Sequence, residues 1–296
     1  MIMSLSYSDS DRDRTMESKK RPSPYNAKLL VAPDGKVDKV LADPIIQSCK
    51  LAFQSRDVFT IALSGGSLPS LLQTLPQSFH NAGVDPQWKK WHVLLADERC
   101  VVSTDDYSNL GSIQSNFTNH VSIPKHQVYG IDETLLSKTS ETVASAYEEQ
   151  VVKPLIEKCD GMLDCVVLGF GPDGHTCSLF PDHPLLNEHT RLVAPIDDSP
   201  KPPPSRITLT FPVLNKLSRR VIFCGAGSSK RPILKDVFGY SREALGDPIR
   251  HIIDGARALN VEMIDPPPYP CGMVRPEQQG RDSLVWVVDR DAFPTS

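Results

Sequence analysis

The feature that most constrains the fold of this chain is a series of short apolar segments, several of which end in glycine or in an acidic residue. These segments lack the alternation expected of a strand that faces water on one side. They cover residues 28–33, 59–66, 91–99, 164–174, 207–211, 220–227 and 283–289. The pattern predicts strands of a parallel sheet, which helices cover on both faces.

Stretches with helical periodicity lie between these segments. Pro69–Leu75 follows the first glycine turn, and Ser137–Lys158 spaces its apolar residues three and four positions apart with charges between them. The alternation of strands and helices predicts an α/β fold of three layers, with a mostly parallel, Rossmann-like sheet between two layers of helices. The proline-rich segments 200–204 and 265–270 are expected to be loops.

The beginning of the chain differs from the rest. Residues 1–24 are polar, carry charges of both signs and lack the apolar segment of a secretory signal. We expect them to be a disordered leader. Residues 25–296 are expected to form a single domain, because no segment in them has the composition of a clean linker.

Charge and cysteine usage restrict the partners and the compartment. The 32 Lys and Arg residues face 36 Asp and Glu residues, so the net charge of −4 argues against a protein that holds nucleic acid by its phosphates. No stretch approaches the roughly 18 apolar residues of a membrane span. The seven cysteines are odd in number and irregularly spaced, which favours reduced thiols and a cytoplasmic protein. We expect a small-molecule substrate and a monomer or weak dimer.

A glycine turn follows the predicted strand at residues 59–63. Gly65 and Gly66 permit a close approach of the backbone, and Ser67 is expected to cap the helix that begins there. The amides of such a turn favour an anion such as phosphate. A turn from strand to helix also needs glycine for purely structural reasons, and this interpretation remains open.

Acidic and basic side chains follow the next predicted strand. Asp97 and Arg99 stand at its end, and Asn109 follows ten residues after Arg99. A carboxylate and a guanidinium there can position a polar substrate and an ionised neighbour. The alternative is a surface salt bridge that closes a loop.

The segment 169–176, Gly-Phe-Gly-Pro-Asp-Gly-His-Thr, follows a buried strand and contains three glycines. It brings Asp173 and His175 to the edge of the sheet, where open α/β folds bind their ligands. Histidine accepts a proton near neutral pH, and a neighbouring carboxylate fixes its tautomer. We therefore expect His175 to be a general base.

Two cations follow later in the chain. Arg206 precedes the segment 207–211, and Lys230 ends a second glycine turn at residues 225–230. Each is either a ligand of a phosphate or a solvated surface residue. Sequence patterns of zinc sites, HExxH proteases and EF-hands are missing, as is the GxSxG elbow of serine hydrolases, so no metal and no cofactor are expected.

Together these motifs resemble the 6-phosphogluconolactonase family. The matching blocks are Ser64–Pro69, Trp91–Asn109, residues 169–181, residues 206–211 and residues 225–230. Cys177 is a departure, since the family often has alanine there. The resemblance implies a fold like that of glucosamine-6-phosphate deaminase.

The resemblance also implies hydrolysis of 6-phospho-D-glucono-1,5-lactone to 6-phospho-D-gluconate, the second step of the oxidative pentose phosphate pathway, without a metal. The expected catalytic residues are His175, Asp173, Asp97 and Arg99, with either aspartate orienting the imidazole. The expected binding residues are Gly65, Gly66, Ser67, Asn109, Arg206 and Lys230. Two alternatives remain: an isomerase or deaminase of the same fold, and a non-catalytic sensor of sugar phosphates.

Overall fold

The computed structural model describes residues 25–239, 255–278 and 282–293. The predicted leader at residues 1–24 lies outside them. Ten strands are present in the described chain: β1 Asn26–Ala32, β2 Phe59–Leu63, β3 Trp91–Leu95, β4 Asp97–Arg99, β5 Cys165–Gly169, β6 Val193–Ile196, β7 Arg206–Leu209, β8 Val221–Gly225, β9 Arg257–Glu262 and β10 Leu284–Asp289.

Seven of these strands form the main sheet, in the order β3-β2-β5-β8-β10-β1-β9. All neighbouring pairs are parallel except β1 and β9, which are antiparallel at one edge. Every residue of β2, β3 and β8 is buried, as expected of strands covered on both faces. The predicted α/β fold with a mostly parallel sheet is confirmed.

The helices lie between the strands along the chain. They are α1 Val37–Ser55, α2 Leu68–Leu71, α3 Leu75–Asn81, α4 Asn109–Asn116, α5 Ser140–Tyr147, α6 Lys153–Lys158, α7 Arg231–Phe238 and α8 Pro270–Met273. None of these described helices combines the length and the apolar character needed to span a bilayer.

The two predicted helices differ from the observed ones in their details. Where Pro69–Leu75 was expected, α2 passes through a 3₁₀ turn at Leu72–Thr74 into α3. The helix expected at Ser137–Lys158 begins at Ser140, because the side chain of Thr139 accepts a hydrogen bond from the amide of Thr142 and caps it there. A π turn at Glu148–Val152 joins α5 to α6.

A second sheet corrects two strand predictions. β4, β7 and β6 form a three-stranded antiparallel sheet, in that order. The segment 91–99 is therefore two strands in two sheets, and the segment 207–211 does not belong to the parallel sheet. Strands β6 and β7 are only four residues long, too short for an apolar run to reveal which sheet they join.

Candidate functional site

A cleft of about 540 Å³ lies at the carboxyl ends of β2, β3, β5 and β8, which are adjacent in the sheet. Nine of the ten residues predicted for the site line this cleft. These are Gly65, Gly66, Ser67, Asp97, Arg99, Asn109, His175, Arg206 and Lys230. Asp173, the tenth, lies behind His175 and bonds to it. The strand ends thus converge as the sequence predicted.

His175 and Asp173 form a close pair on the turn after β5. Nδ1 of His175 lies 2.5 Å from Oδ1 of Asp173, and the imidazole stacks on the ring of Phe180 with centroids 5.0 Å apart. A carboxylate bonded to Nδ1 leaves Nε2 as the nitrogen with a free lone pair. Of the two aspartates considered for orienting the imidazole, the geometry selects Asp173.

Two glycines allow this turn to pack tightly. A Cβ on Gly171 would lie 2.1 Å from Nδ1 of His175 and 2.2 Å from Oδ1 of Asp173. Gly174 has a φ of +78°, and a Cβ there would lie 2.5 Å from the ring of Tyr269. The amide of Cys271 also donates to the carbonyl of Gly174, at 3.0 Å. The proline-rich segment 265–270 therefore ends against the turn that carries the histidine.

The environment shifts the pKa of both partners downward. Burial lowers the pKa of His175 below its usual value of 6.5, and the charge of Lys201 adds to this effect against the opposing hydrogen bond to Asp173. Burial by itself would raise the pKa of Asp173, but its hydrogen bonds and charge interactions with His175 and Lys201 outweigh burial and lower it to about 2. Near neutral pH, Asp173 is ionised and His175 is neutral.

Asp97 lies on the other side of the cleft and is 6% exposed. Its Oδ2 accepts a hydrogen bond from Oγ of Ser178 at 2.9 Å, and its backbone carbonyl accepts one from Nδ2 of Asn109 at 2.8 Å. Glu98 is buried as well, and its carboxylate accepts from the amides of Asn109 and Leu110, both at 2.8 Å. These bonds fix the first turn of α4, and with it Asn109, against the end of β4.

The turn after β2 differs from the prediction in one respect. Ser67 has helical backbone angles, with φ −81° and ψ −11°, and its side chain does not cap α2. A capping side chain needs an extended backbone, so the predicted cap is wrong. Gly66 has a φ of +68°, and no atom lies within 4 Å of the position that a Cβ would take there. A Cβ on Gly65, in contrast, would lie 1.7 Å from Oδ1 of Asn109.

Arg99 and Arg206 face each other across the pair formed by β4 and β7, where they are register partners. Arg206 is 3% exposed and donates to the carbonyls of Lys201 at 2.8 Å and Pro203 at 2.9 Å. Burial and the neighbouring charge of Arg99 lower the pKa of Arg206. Lys230 donates to the carbonyl of Phe170, and burial lowers its pKa as well. The cleft therefore concentrates positive charge.

Two polar atoms of the cleft have unsatisfied hydrogen-bonding capacity. Oγ of Ser64 and Nε of Arg99 are buried and have no hydrogen-bond partner within the part of the chain that the structure describes. Buried polar groups are normally paired, so these two atoms point to a polar ligand.

Sequence reasoning missed three side chains of this site. Lys201 lies in the proline-rich loop 200–204, which was interpreted only as a loop, and its ammonium reaches His175. Phe180 and Ser178 lie in the block 169–181, from which the sequence predicts no role for them. The signal for Lys201 in the sequence is its position between two prolines, just before a strand that begins with Arg206.

Among the described residues, no group of three or more His, Cys, Asp and Glu side chains is arranged to hold a metal ion. The cleft instead combines a histidine–carboxylate pair with several cations and the glycine turn after β2. Such an arrangement can bind an anionic substrate and move a proton at a carbonyl group beside it.

Two known proteins are similar in sequence to this chain over most of their own length. Human 6-phosphogluconolactonase is 42% identical over 191 residues, which cover 64% of this chain and 72% of the human one. Bovine 6-phosphogluconolactonase is 39% identical over 219 residues, which cover 73% of this chain and 82% of the bovine one.

A solved structure and a family model extend the similarity over most of the chain. The structure of 6-phosphogluconolactonase from Thermotoga maritima aligns with a TM-score of 0.64 and 26% identity, and the alignment covers 88% of this chain and 99% of that one. The model of the family described as glucosamine-6-phosphate isomerases/6-phosphogluconolactonase matches residues 34–283. The chain therefore belongs to the glucosamine-6-phosphate isomerase/6-phosphogluconolactonase family.

Proposed function

We propose that the cleft hydrolyses 6-phospho-D-glucono-1,5-lactone to 6-phospho-D-gluconate, the second step of the oxidative pentose phosphate pathway, with His175 as the general base. The observation that carries the role of His175 is its pairing with ionised Asp173 inside a cleft rich in cations. The assignment of the reaction rests on the family and on curated relatives named 6-phosphogluconolactonase.

The chemistry follows from the tautomer of the histidine. Nδ1–H of His175 donates to Asp173, so Nε2 accepts a proton from a water molecule, whose oxygen attacks C1 of the lactone. Backbone amides or a cation of the cleft stabilise the oxyanion of the tetrahedral intermediate. When the intermediate collapses, the bond from C1 to the ring oxygen breaks, and His175 returns the proton to that oxygen. Asp173 holds the ring in place throughout.

The phosphate of the substrate is assigned to the other half of the cleft. The amides of Gly65, Gly66 and Ser67 are candidates for its oxygens, as are the cations Arg99, Arg206 and Lys230. The unpaired Nε of Arg99 supports this assignment, because a phosphate oxygen would satisfy it. Asp97 and Asn109 then face the sugar ring from β4 and α4.

The family also includes isomerases of amino-sugar phosphates, so the test compares two substrates. The lactone is generated in situ, and 6-phosphogluconate is followed with its NADP-linked dehydrogenase, both with and without EDTA. Glucosamine 6-phosphate is assayed for released ammonia in parallel. We expect lactone turnover far above spontaneous ring opening, unaffected by EDTA, and no release of ammonia. Turnover of the amino sugar alone would contradict the proposal.

The proposal extends to the compartment, the oligomeric state and the domain organisation of the protein. All seven cysteines are free, which supports a reducing compartment, and we propose the cytoplasm. We also propose that the protein is a monomer or weak dimer. A single hydrophobic core includes residues from β1 through β10, which supports a single domain over residues 25–296.

A further inference from the structure

Lys201 reaches the histidine–aspartate pair from the loop between β6 and β7. Its Nζ lies 2.9 Å from Nδ1 of His175 and 3.0 Å from Oδ2 of Asp173. Its side chain is 40% exposed and lines the cleft. No motif of the sequence assigned it a role.

Only one of the two groups close to Nδ1 of His175 can form a hydrogen bond with it. Asp173 is ionised and can only accept, so the 2.5 Å contact requires that Nδ1 carry the proton and donate it. A protonated Nδ1 cannot accept a bond from Lys201. The lysine therefore donates to Oδ2 of Asp173, and its charge lies beside the imidazole without bonding to it.

Hydrogen bonds from Arg206 and Ser199 hold the loop that carries Lys201. Arg206 donates to the carbonyls of Lys201, Pro202 and Pro203, at 2.8, 3.1 and 2.9 Å. Oγ of Ser199 donates to the carbonyl of Lys201 at 2.9 Å. These bonds fix the backbone of the lysine at a point from which its side chain reaches the pair.

We propose that Lys201 is a positioning residue for the general base: it holds the carboxylate of Asp173 and places a positive charge against the ring of His175. Its bond to Oδ2 fixes the carboxylate so that Oδ1 faces Nδ1. Its charge disfavours the imidazolium, which keeps Nε2 free to accept a proton. This inference rests on the proposed function, since it assigns Lys201 to the same reaction.

Burial is the main cause that disfavours a charge on His175, and the charged groups around the ring act in both directions. Asp173 on the same turn and Asp97 from β4 both favour the protonated ring, whereas Lys201 opposes it. The neighbouring ring of Phe180 carries no charge. Without the lysine, two carboxylates remain, and the histidine would be protonated over a wider range of pH.

The test compares Lys201→Met and Lys201→Arg with the wild-type protein. A matched control is Lys90→Met, because Lys90 forms an exposed pair with Asp57 at 2.7 Å, remote from the cleft. kcat and KM for lactone hydrolysis are measured between about pH 5.5 and 8, above the rate of spontaneous opening. Circular dichroism checks that each variant is folded.

For Lys201→Met we expect the acid limb of kcat/KM to move up by about one pH unit. We also expect kcat to fall most at the acid end of this range, by about tenfold at most, and less at higher pH, with KM changed less than kcat. Lys201→Arg keeps the charge and is expected to restore the acid limb. Lys90→Met is expected to match the wild type.

Three results would overturn the role of Lys201 while leaving the lactonase activity in place. They are an unchanged acid limb in a folded Lys201→Met protein, a rise in KM without a change in kcat, and failure of Lys201→Arg to restore the acid limb. A wild-type protein that does not accelerate lactone opening would instead overturn the proposed function.

Discussion

Two of the three glycine turns at the carboxyl edge of the sheet, those after β5 and β2, use glycine for different purposes. The turn after β5 is closely packed, with side chains of His175 and Asp173 where a Cβ of Gly171 would be. The turn after β2 is open at Gly66, where no atom lies within 4 Å of the position that a Cβ would take. The first turn thus brings side chains together, and the second leaves open space at Gly66, where we propose that an anion meets the backbone.

In the function that we propose, this difference separates catalysis from binding within one cleft. The packed turn fixes a base and its carboxylate partner, so damage to it should lower kcat. The open turn offers its amides to an anion, so damage to it should raise KM. The turns after β5 and β2 are thus expected to act differently although both are rich in glycine, and kcat and KM can distinguish them.

The largest effect is expected from removal of the base. His175→Ala should lower kcat about 10²–10⁴-fold, because general-base catalysis typically contributes this factor. The measurement is steady-state lactone hydrolysis, with His80→Ala as the control because His80 is exposed on α3. Activity within about threefold of the wild type in a folded His175→Ala protein would reject His175 as the base.

Gly171→Ala tests the packed turn without replacing the histidine itself. The added methyl group would lie 2.1 Å from Nδ1 of His175, so the ring and Asp173 must move apart. We expect kcat to fall about 100-fold, since a displacement of about 1 Å in an active site can cost this much. KM should change little. An unchanged kcat would show that the close approach of the turn is not needed for catalysis.

Gly65→Ala tests the turn after β2. Its methyl group would lie 1.7 Å from Oδ1 of Asn109 and would displace the turn or the asparagine. We expect KM to rise about tenfold, the equivalent of 1.4 kcal/mol, with a smaller change in kcat. A fall in kcat at constant KM would remove the distinction between the two turns.

Gly66→Ala separates binding from backbone strain at the same turn. Gly66 has a φ of +68°, so alanine should destabilise the fold by about 1–2 kcal/mol. Thermal unfolding should show a midpoint lowered by roughly 2–8 °C. A midpoint equal to that of the wild type would show that the turn relaxes without strain.

The smallest expected effect is on the pH dependence of kcat/KM. In the proposed mechanism neutral His175 is the active form, and burial holds its pKa below 6.5. The acid limb of kcat/KM should therefore have its midpoint below pH 6.5, and activity should persist where an exposed histidine would already be protonated. A midpoint above pH 6.5 would contradict the environment described for the base.

Much of the fold was predictable because buried parallel strands are continuous apolar runs. β2, β5, β8 and β10 fall within the predicted segments, and their polar ends meet at one edge. The antiparallel sheet was not predictable in the same way. β4 is only Asp97–Arg99, and its pairing with β7 joins residues more than a hundred positions apart.

The site was predictable where its residues follow strands, as His175 and Asp97 do. Lys201 was missed because its role comes from a contact across 26 positions of sequence, through a loop held by Arg206. The cap predicted at Ser67 was wrong because residue type alone does not give the backbone conformation, which is helical there. Sequence thus indicated which residues reach the edge, but not how they pair.

The most direct test of the central claim is the tautomer of His175 in solution. The protein labelled with ¹⁵N-histidine is titrated by NMR, and the resonances of His175 are assigned by comparison with His175→Gln. We expect neutral His175 at pH 7 with the proton on Nδ1, a free lone pair on Nε2 and a midpoint below 6.5. A neutral ring protonated at Nε2, or an imidazolium at pH 7, would contradict the assignment of Nε2 as the base.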